Sequence, residues 1–141
     1  MSYRERTAWL ALIAMVVTYG PYFTVVGLDL IPVDPLPNLR QLGLFAATAI
    51  VQMLILAVGH LYLRHSMADE ARCPPDERDR AISYRARNFS YYVLISGMIL
   101  VGCVLPFTAG GWSIVNAALF MIVAAELVGY SLIAVSYRKQ S

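Results

Sequence analysis

Charged side chains are absent from four long stretches of this chain. They leave residues 7–26, 41–63, 89–107 and, apart from Glu126, 112–137 to apolar and small residues. Each run meets or approaches the roughly 20 residues that an α-helix needs to cross a hydrocarbon layer about 30 Å thick. In lipid the backbone N–H and C=O groups must find partners within the chain, so runs of this kind are stable only as helices. The patterning predicts an all-α fold: a membrane-embedded four-helix bundle with spans at about 7–26, 41–63, 89–107 and 112–137. One domain, residues 1–141, accounts for the chain, because 59% hydrophobic content in 141 residues leaves no room for a separate soluble unit.

The basic residues give that bundle an orientation. Of the eleven Lys and Arg residues, only Arg40 falls in the first or third connection. Arg4 and Arg6 precede the first span, six arginines lie between Arg64 and Arg87, and Arg138 and Lys139 follow the last span. The positive-inside rule then predicts a bacterial inner-membrane protein with both termini and the 64–88 segment in the cytosol. The first span follows two arginines as a secretory signal would, but its apolar run is long and no small-x-small site closes it, so a retained anchor is expected. Pro21 removes one backbone hydrogen bond and predicts a kink in the outer half of that helix.

Other features bound the chemistry. A net charge of +2, concentrated on one side, does not describe a nucleic-acid surface, and no direct nucleic-acid contact is expected. Cys73 and Cys103 would lie about 45 Å apart along a helical connection and cannot pair within one chain. The sequence contains no phosphate-binding glycine loop, no nucleophile elbow and no His-Glu-x-x-His pair, and Glu126 alone supplies no acid–base couple. No enzyme activity, cofactor or metal is therefore expected. His60 and His65, five apart, fall on different faces of a continuing helix and would share a metal only if the helix ended between them.

The connection between the second and third spans is the most structured of the loops. Pro74-Pro75 stops what precedes it, and Asp76-Glu77-Arg78-Asp79 opens a new helix with acidic residues in the first turn, where they complement the helix dipole. Asp76 is the expected cap, with Asp79 three residues on. Ile82, Ala86, Phe89 and Val93 recur on one face, so the helix should run into the third span as an amphipathic lead-in supported by ion pairs such as Asp76 with Arg80. Two readings of this segment compete. Its arginines could anchor the helix at lipid headgroups. Alternatively, Asp76, Glu77, Arg78, Asp79, Arg80, Arg85 and Arg87 form a docking surface for a cytosolic protein, since mixed charge favours specific pairing.

The run Asp76-Glu77-Arg78-Asp79-Arg80-Ala81-Ile82, with Arg85-Ala86-Arg87 and Tyr91-Tyr92-Val93-Leu94 after it, resembles the DERD segment that precedes a transmembrane helix in small uncharacterised prokaryotic integral membrane proteins of domain-of-unknown-function type. The resemblance implies inner-membrane residence and, from the company some such families keep, a small helix-turn-helix transcription regulator as partner.

Within the spans, Glu126 stands out because a carboxylate at mid-membrane is costly and should face the bundle. Gln52 matches its depth on the second span, and Thr18, Tyr19 and Ser96 lie within a turn or two, so one polar cluster of Glu126, Gln52, Tyr19, Thr18 and Ser96 is expected, with no cation at that level. Such a cluster serves either as interhelical glue or as a proton or cation site. Ser113, Ala117, Ala125 and Gly129, with Met121 among them, give the fourth span a face of small residues for close helix packing, within the bundle or across a homodimer. Three functions follow as expectations: a regulatory or binding protein that docks a soluble partner, a small proton-linked transporter or channel centred on Glu126, and a subunit or assembly factor of a membrane complex.

Overall fold

A computed structural model describes residues 2–32, 34, 35 and 37–139. The chain folds as an all-α bundle of four long helices: α1 (Tyr3–Gly27), α2 (Leu39–Ser66), α4 (Glu77–Ile99) and α5 (Trp112–Arg138), with a short α3 (Ala68–Arg72) between α2 and α4. All four long helices, α4 together with its continuation to Phe107, are long and apolar enough to cross a membrane.

Local chemistry sets where the helices begin. The Ser2 side chain accepts the Glu5 N–H at 3.3 Å to start α1, and Asn38 accepts the Gln41 N–H at 3.2 Å to start α2. At α4, Asp76 Oδ1 accepts the Asp79 N–H at 2.6 Å and Asp79 Oδ2 accepts the Asp76 N–H at 3.3 Å, a complete capping box that satisfies two otherwise orphaned donors. Asp76 is thus the cap that the Pro-Pro-Asp pattern predicts. Its carboxylate serves this turn, and an ion pair of the segment runs from Asp79 to Arg4.

The helices alternate in direction and pack in the order α2–α1–α5–α4, so α1 and α5 are central and α2 and α4 flank them. The core accordingly lies on the two central helices: Ala8, Ala11, Ala14, Met15 and Tyr22 of α1 with Val123, Ala125, Ala134 and Tyr137 of α5. α4 contributes Ile82 and Ala86, two of the residues its periodicity assigns to an inner face, whereas Phe89 is exposed. The small-residue face of α5 is used within the bundle. A Cβ at Gly129 would collide with Ser90 Oγ and one at Gly97 with the Met121 side chain, so α4 and α5 approach most closely where one of them lacks a side chain.

Two features depart from simple spans. The last part of the third span is π-helical over Leu100–Val104 and 3₁₀ over Leu105–Phe107. Pro106 has no N–H to give to the preceding turn and its ring crowds that turn's carbonyl, so the regular hydrogen-bond register cannot continue through it. In contrast, α1 continues through Pro21 to Gly27. α2 runs on through both His60 and His65, and His60 Nδ1 lies 2.8 Å from the Leu56 carbonyl oxygen. Cys73 and Cys103 are free thiols.

Candidate functional site

The arginine-rich end of the bundle is closed by a clasp centred on Asp79. Arg4 Nε of α1 lies 3.0 Å from Asp79 Oδ2, and the Tyr137 hydroxyl of α5 donates to Asp79 Oδ1 at 2.5 Å. A second arm of Arg4 donates to the Cys73 carbonyl at 3.2 Å, and the Tyr3 N–H donates to Glu70 Oε2 of α3 at 2.8 Å. One carboxylate therefore joins α1, α4 and α5, while the first turn of α1 also holds the α3 connection. Burial alone would push the Asp79 carboxyl up, but the Tyr137 hydroxyl, the Asp76 backbone and the Arg4 guanidinium more than offset it and hold the group below the ordinary carboxylate range.

This arrangement divides the predicted docking residues. Asp76 and Asp79 are engaged in the cap and the clasp. Arg78 lines the cavity beneath the clasp. Glu77, Arg80, Arg85 and Arg87 are exposed, and the Arg85 guanidinium lies 6.0 Å from the centre of the Phe89 ring. With Ile82 and Ala86 turned inward, the outer face of the lead-in helix is predominantly basic.

The polar residues of the long apolar runs also divide. Thr18 Oγ1 donates to Gln52 Oε1 at 2.7 Å, which pairs α1 with the buried Gln52 of α2. Tyr19 packs its ring against Phe23 and Phe45. Ser96 is exposed on α4, and Glu126 is exposed in a groove between α4 and α5. Depth along a helix was legible, but direction around it was not: Val123, Ala125 and Gly129 turn inward, and at about 100° per residue Glu126 then faces sideways. The groove encloses about 290 Å³ and is lined by Ser83, Arg87, Ser90 and Tyr130 as well as Glu126. Arg87 lines the same groove, but among the described residues no ion pair joins it to Glu126.

Three cavities overlap in their linings. The cavity under the clasp shares Tyr3, Arg4 and Tyr137 with a smaller one of about 160 Å³, which shares Ser83 and Tyr130 with the Glu126 groove. The three cavities thus neighbour one another between the arginine-rich end and Glu126, with the middle one mainly apolar; Glu126 lies 12 residues, or about 18 Å, from the end of α5 at Arg138.

A polar chain at the opposite end was not anticipated. The buried Tyr22 hydroxyl donates to Asn116 Oδ1 at 3.1 Å, and Asn116 Nδ2 donates to Gln41 Oε1 at 2.9 Å, joining α1, α5 and α2. The only signal in the sequence was the presence of two amides, Gln41 and Asn116, near the matching ends of two apolar runs.

Fold and side chains together describe a helical protein whose four candidate spans are compatible with multi-pass membrane residence. No protein-family model matches the chain, and no curated protein or solved structure matches it.

Proposed function

We propose that this is a non-enzymatic regulatory or binding protein of the bacterial inner membrane, with both termini and residues 64–88 in the cytosol, that docks a soluble partner on the exposed face of α4. The observation that carries the reading is the division of charge: Asp76 and Asp79 are spent on holding α4 in place, while Arg80, Arg85 and Arg87 point outward from a helix clasped at its base. A fixed basic face selects a partner with an acidic surface through charge complementarity. A small helix-turn-helix regulator is the partner that the DERD resemblance implies.

Reversing Arg80 and Arg85 together to Glu should abolish co-purification of a partner captured by the wild-type chain, with membrane insertion unchanged. Changing the facing acidic residues of that partner to Arg should restore it. Retention of every partner by the double variant would contradict docking on this face. Reversal at Asp79 is a poor test, because it would break the clasp as well as the surface.

A second reading, a proton-linked transporter or channel, is favoured by the groove between α4 and α5 that Glu126 lines with Ser83, Ser90 and Tyr130. An ionisable group at mid-span in a groove lined by hydroxyls is suited to proton exchange. In proteoliposomes under an imposed pH gradient, this reading expects proton flux through the wild type and none through Glu126→Gln. Equal flux in the two would assign the carboxylate a structural role.

A further inference from the structure

The cavity beneath the clasp has a use beyond holding helices together. It encloses about 570 Å³. Its lining includes four carboxylates, Glu5, Glu70, Asp76 and Asp79, against two guanidiniums, Arg4 and Arg78. Three of the four carboxylates have donors: Asp79 has Arg4 and Tyr137, Asp76 has the Asp79 N–H, and Glu70 has the Tyr3 N–H. Glu5 is different. It is only 5% exposed, and among the described residues its carboxylate has neither a hydrogen bond nor an ion pair.

Its place in the sequence makes this unexpected. Ser2-x-x-Glu5 is a capping-box pattern, and Ser2 duly accepts the Glu5 N–H. The reciprocal bond, from the Ser2 N–H to the Glu5 carboxylate, is not made, whereas the same two-way arrangement is complete at Asp76 and Asp79. The neighbouring guanidinium of Arg4 is committed to Asp79 and to the Cys73 carbonyl. The Glu5 carboxylate lines the cavity with no donor from the described residues, so a cation that brings N–H groups into the cavity can bond to it with charge assistance. The acidic groups and Cys73 do not gather closely enough to hold a metal ion among the described residues, which points to an organic cation.

We infer that this cavity is a binding site for a small organic cation bearing a guanidinium or primary ammonium head, with Glu5 as the carboxylate that receives it. The excess of carboxylates favours a molecule with two such heads, and the shared lining with the smaller cavity gives its chain room to extend along the α1–α5 seam.

Agmatine, with a guanidinium at one end and an ammonium at the other, is a suitable probe for the full chain in detergent. Cys73 lines the cavity and is exposed, so its alkylation by a maleimide, read by peptide mass spectrometry, reports occupancy. Agmatine should protect Cys73 saturably, whereas choline, which has a charge but no N–H donor, and sodium chloride at matched ionic strength should not. Glu5→Gln should weaken protection about tenfold or more, as expected for loss of a charge-assisted hydrogen bond, with Glu77→Gln, on the exposed face of α4, unchanged. If Glu5→Gln fails to fold, the wild-type comparison of agmatine with choline and salt decides the matter. The site is overturned if agmatine gives no saturable protection, if choline protects equally, or if a folded Glu5→Gln chain binds as the wild type does.

Discussion

Replacing Asp79 with Ala should lower the stability of the bundle by about 2–4 kcal/mol, measured as loss of helical signal on heating in mild detergent. The carboxylate serves three groups at once: the Arg4 guanidinium, the Tyr137 hydroxyl and the Asp76 N–H. Its side chain is 16% exposed and that of Arg4 31%, so the pair is screened less than a surface ion pair but is not fully desolvated, which places the cost between those limits. Tyr137→Phe, which removes the hydroxyl's bond to Asp79 and keeps the ring, should cost about 1 kcal/mol or more. The Arg4→Ala and Asp79→Ala double variant should be less destabilised than the sum of the two single ones, because each single change orphans the other partner.

The same carboxylate predicts a direction for pH. Asp79 titrates below the ordinary carboxylate range in the folded chain, so its contribution is fully present above the ordinary value and is lost as pH falls through the lowered one. Asp79→Ala should therefore converge with the wild type in acid and diverge from it as pH rises. A difference independent of pH would mean that the ionised form is not what holds the clasp.

Asn116→Leu should destabilise the opposite end by about 2–3 kcal/mol. Interhelical hydrogen bonds in membrane proteins average only about 0.6 kcal/mol, with a maximum of about 1.7, because the separated helices find other partners. Asn116 makes two such bonds, and its loss leaves the Tyr22 hydroxyl and Gln41 Oε1 without their partners at residues 3% and 2% exposed. Leucine is close to asparagine in size but offers those groups nothing, so the desolvation cost of both is added to the lost bonds. Ser113→Leu, three residues away and exposed, should change stability by no more than about 0.5 kcal/mol. Equal effects at the two positions would indicate that the polar chain does not tie α1, α2 and α5.

These two sites also show what could be read from residues alone. The long helices were legible because charge marks their ends, and the start of α4 was legible because Pro74-Pro75, Asp76 and Asp79 act within a single turn. Contacts between helices were not. Arg4 and Asp79 are 75 positions apart, and nothing local distinguishes Asp79 from Glu77 as the residue that faces α1. The polar layer illustrates the same limit: counting residues puts Glu126 and Gln52 at similar depth, but the inward rotation of Ala125 and Gly129 sends Glu126 to the α4 side and away from Thr18 and Gln52. Helix order decides the rest. With α5 between α1 and α4, a side chain on α4 such as Ser96 is remote from the α1–α2 seam.

The docking proposal requires the arginine-rich end of the bundle to face the cytosol. A membrane-impermeant maleimide reads this directly in bacterial cells, since Cys73 is exposed at that end and Thr108→Cys would place a thiol in the exposed turn at the other. Cys73 should react in inverted membrane vesicles and resist the reagent in intact spheroplasts, with the Thr108→Cys thiol showing the reverse. Labelling of Cys73 from outside intact spheroplasts would contradict the account.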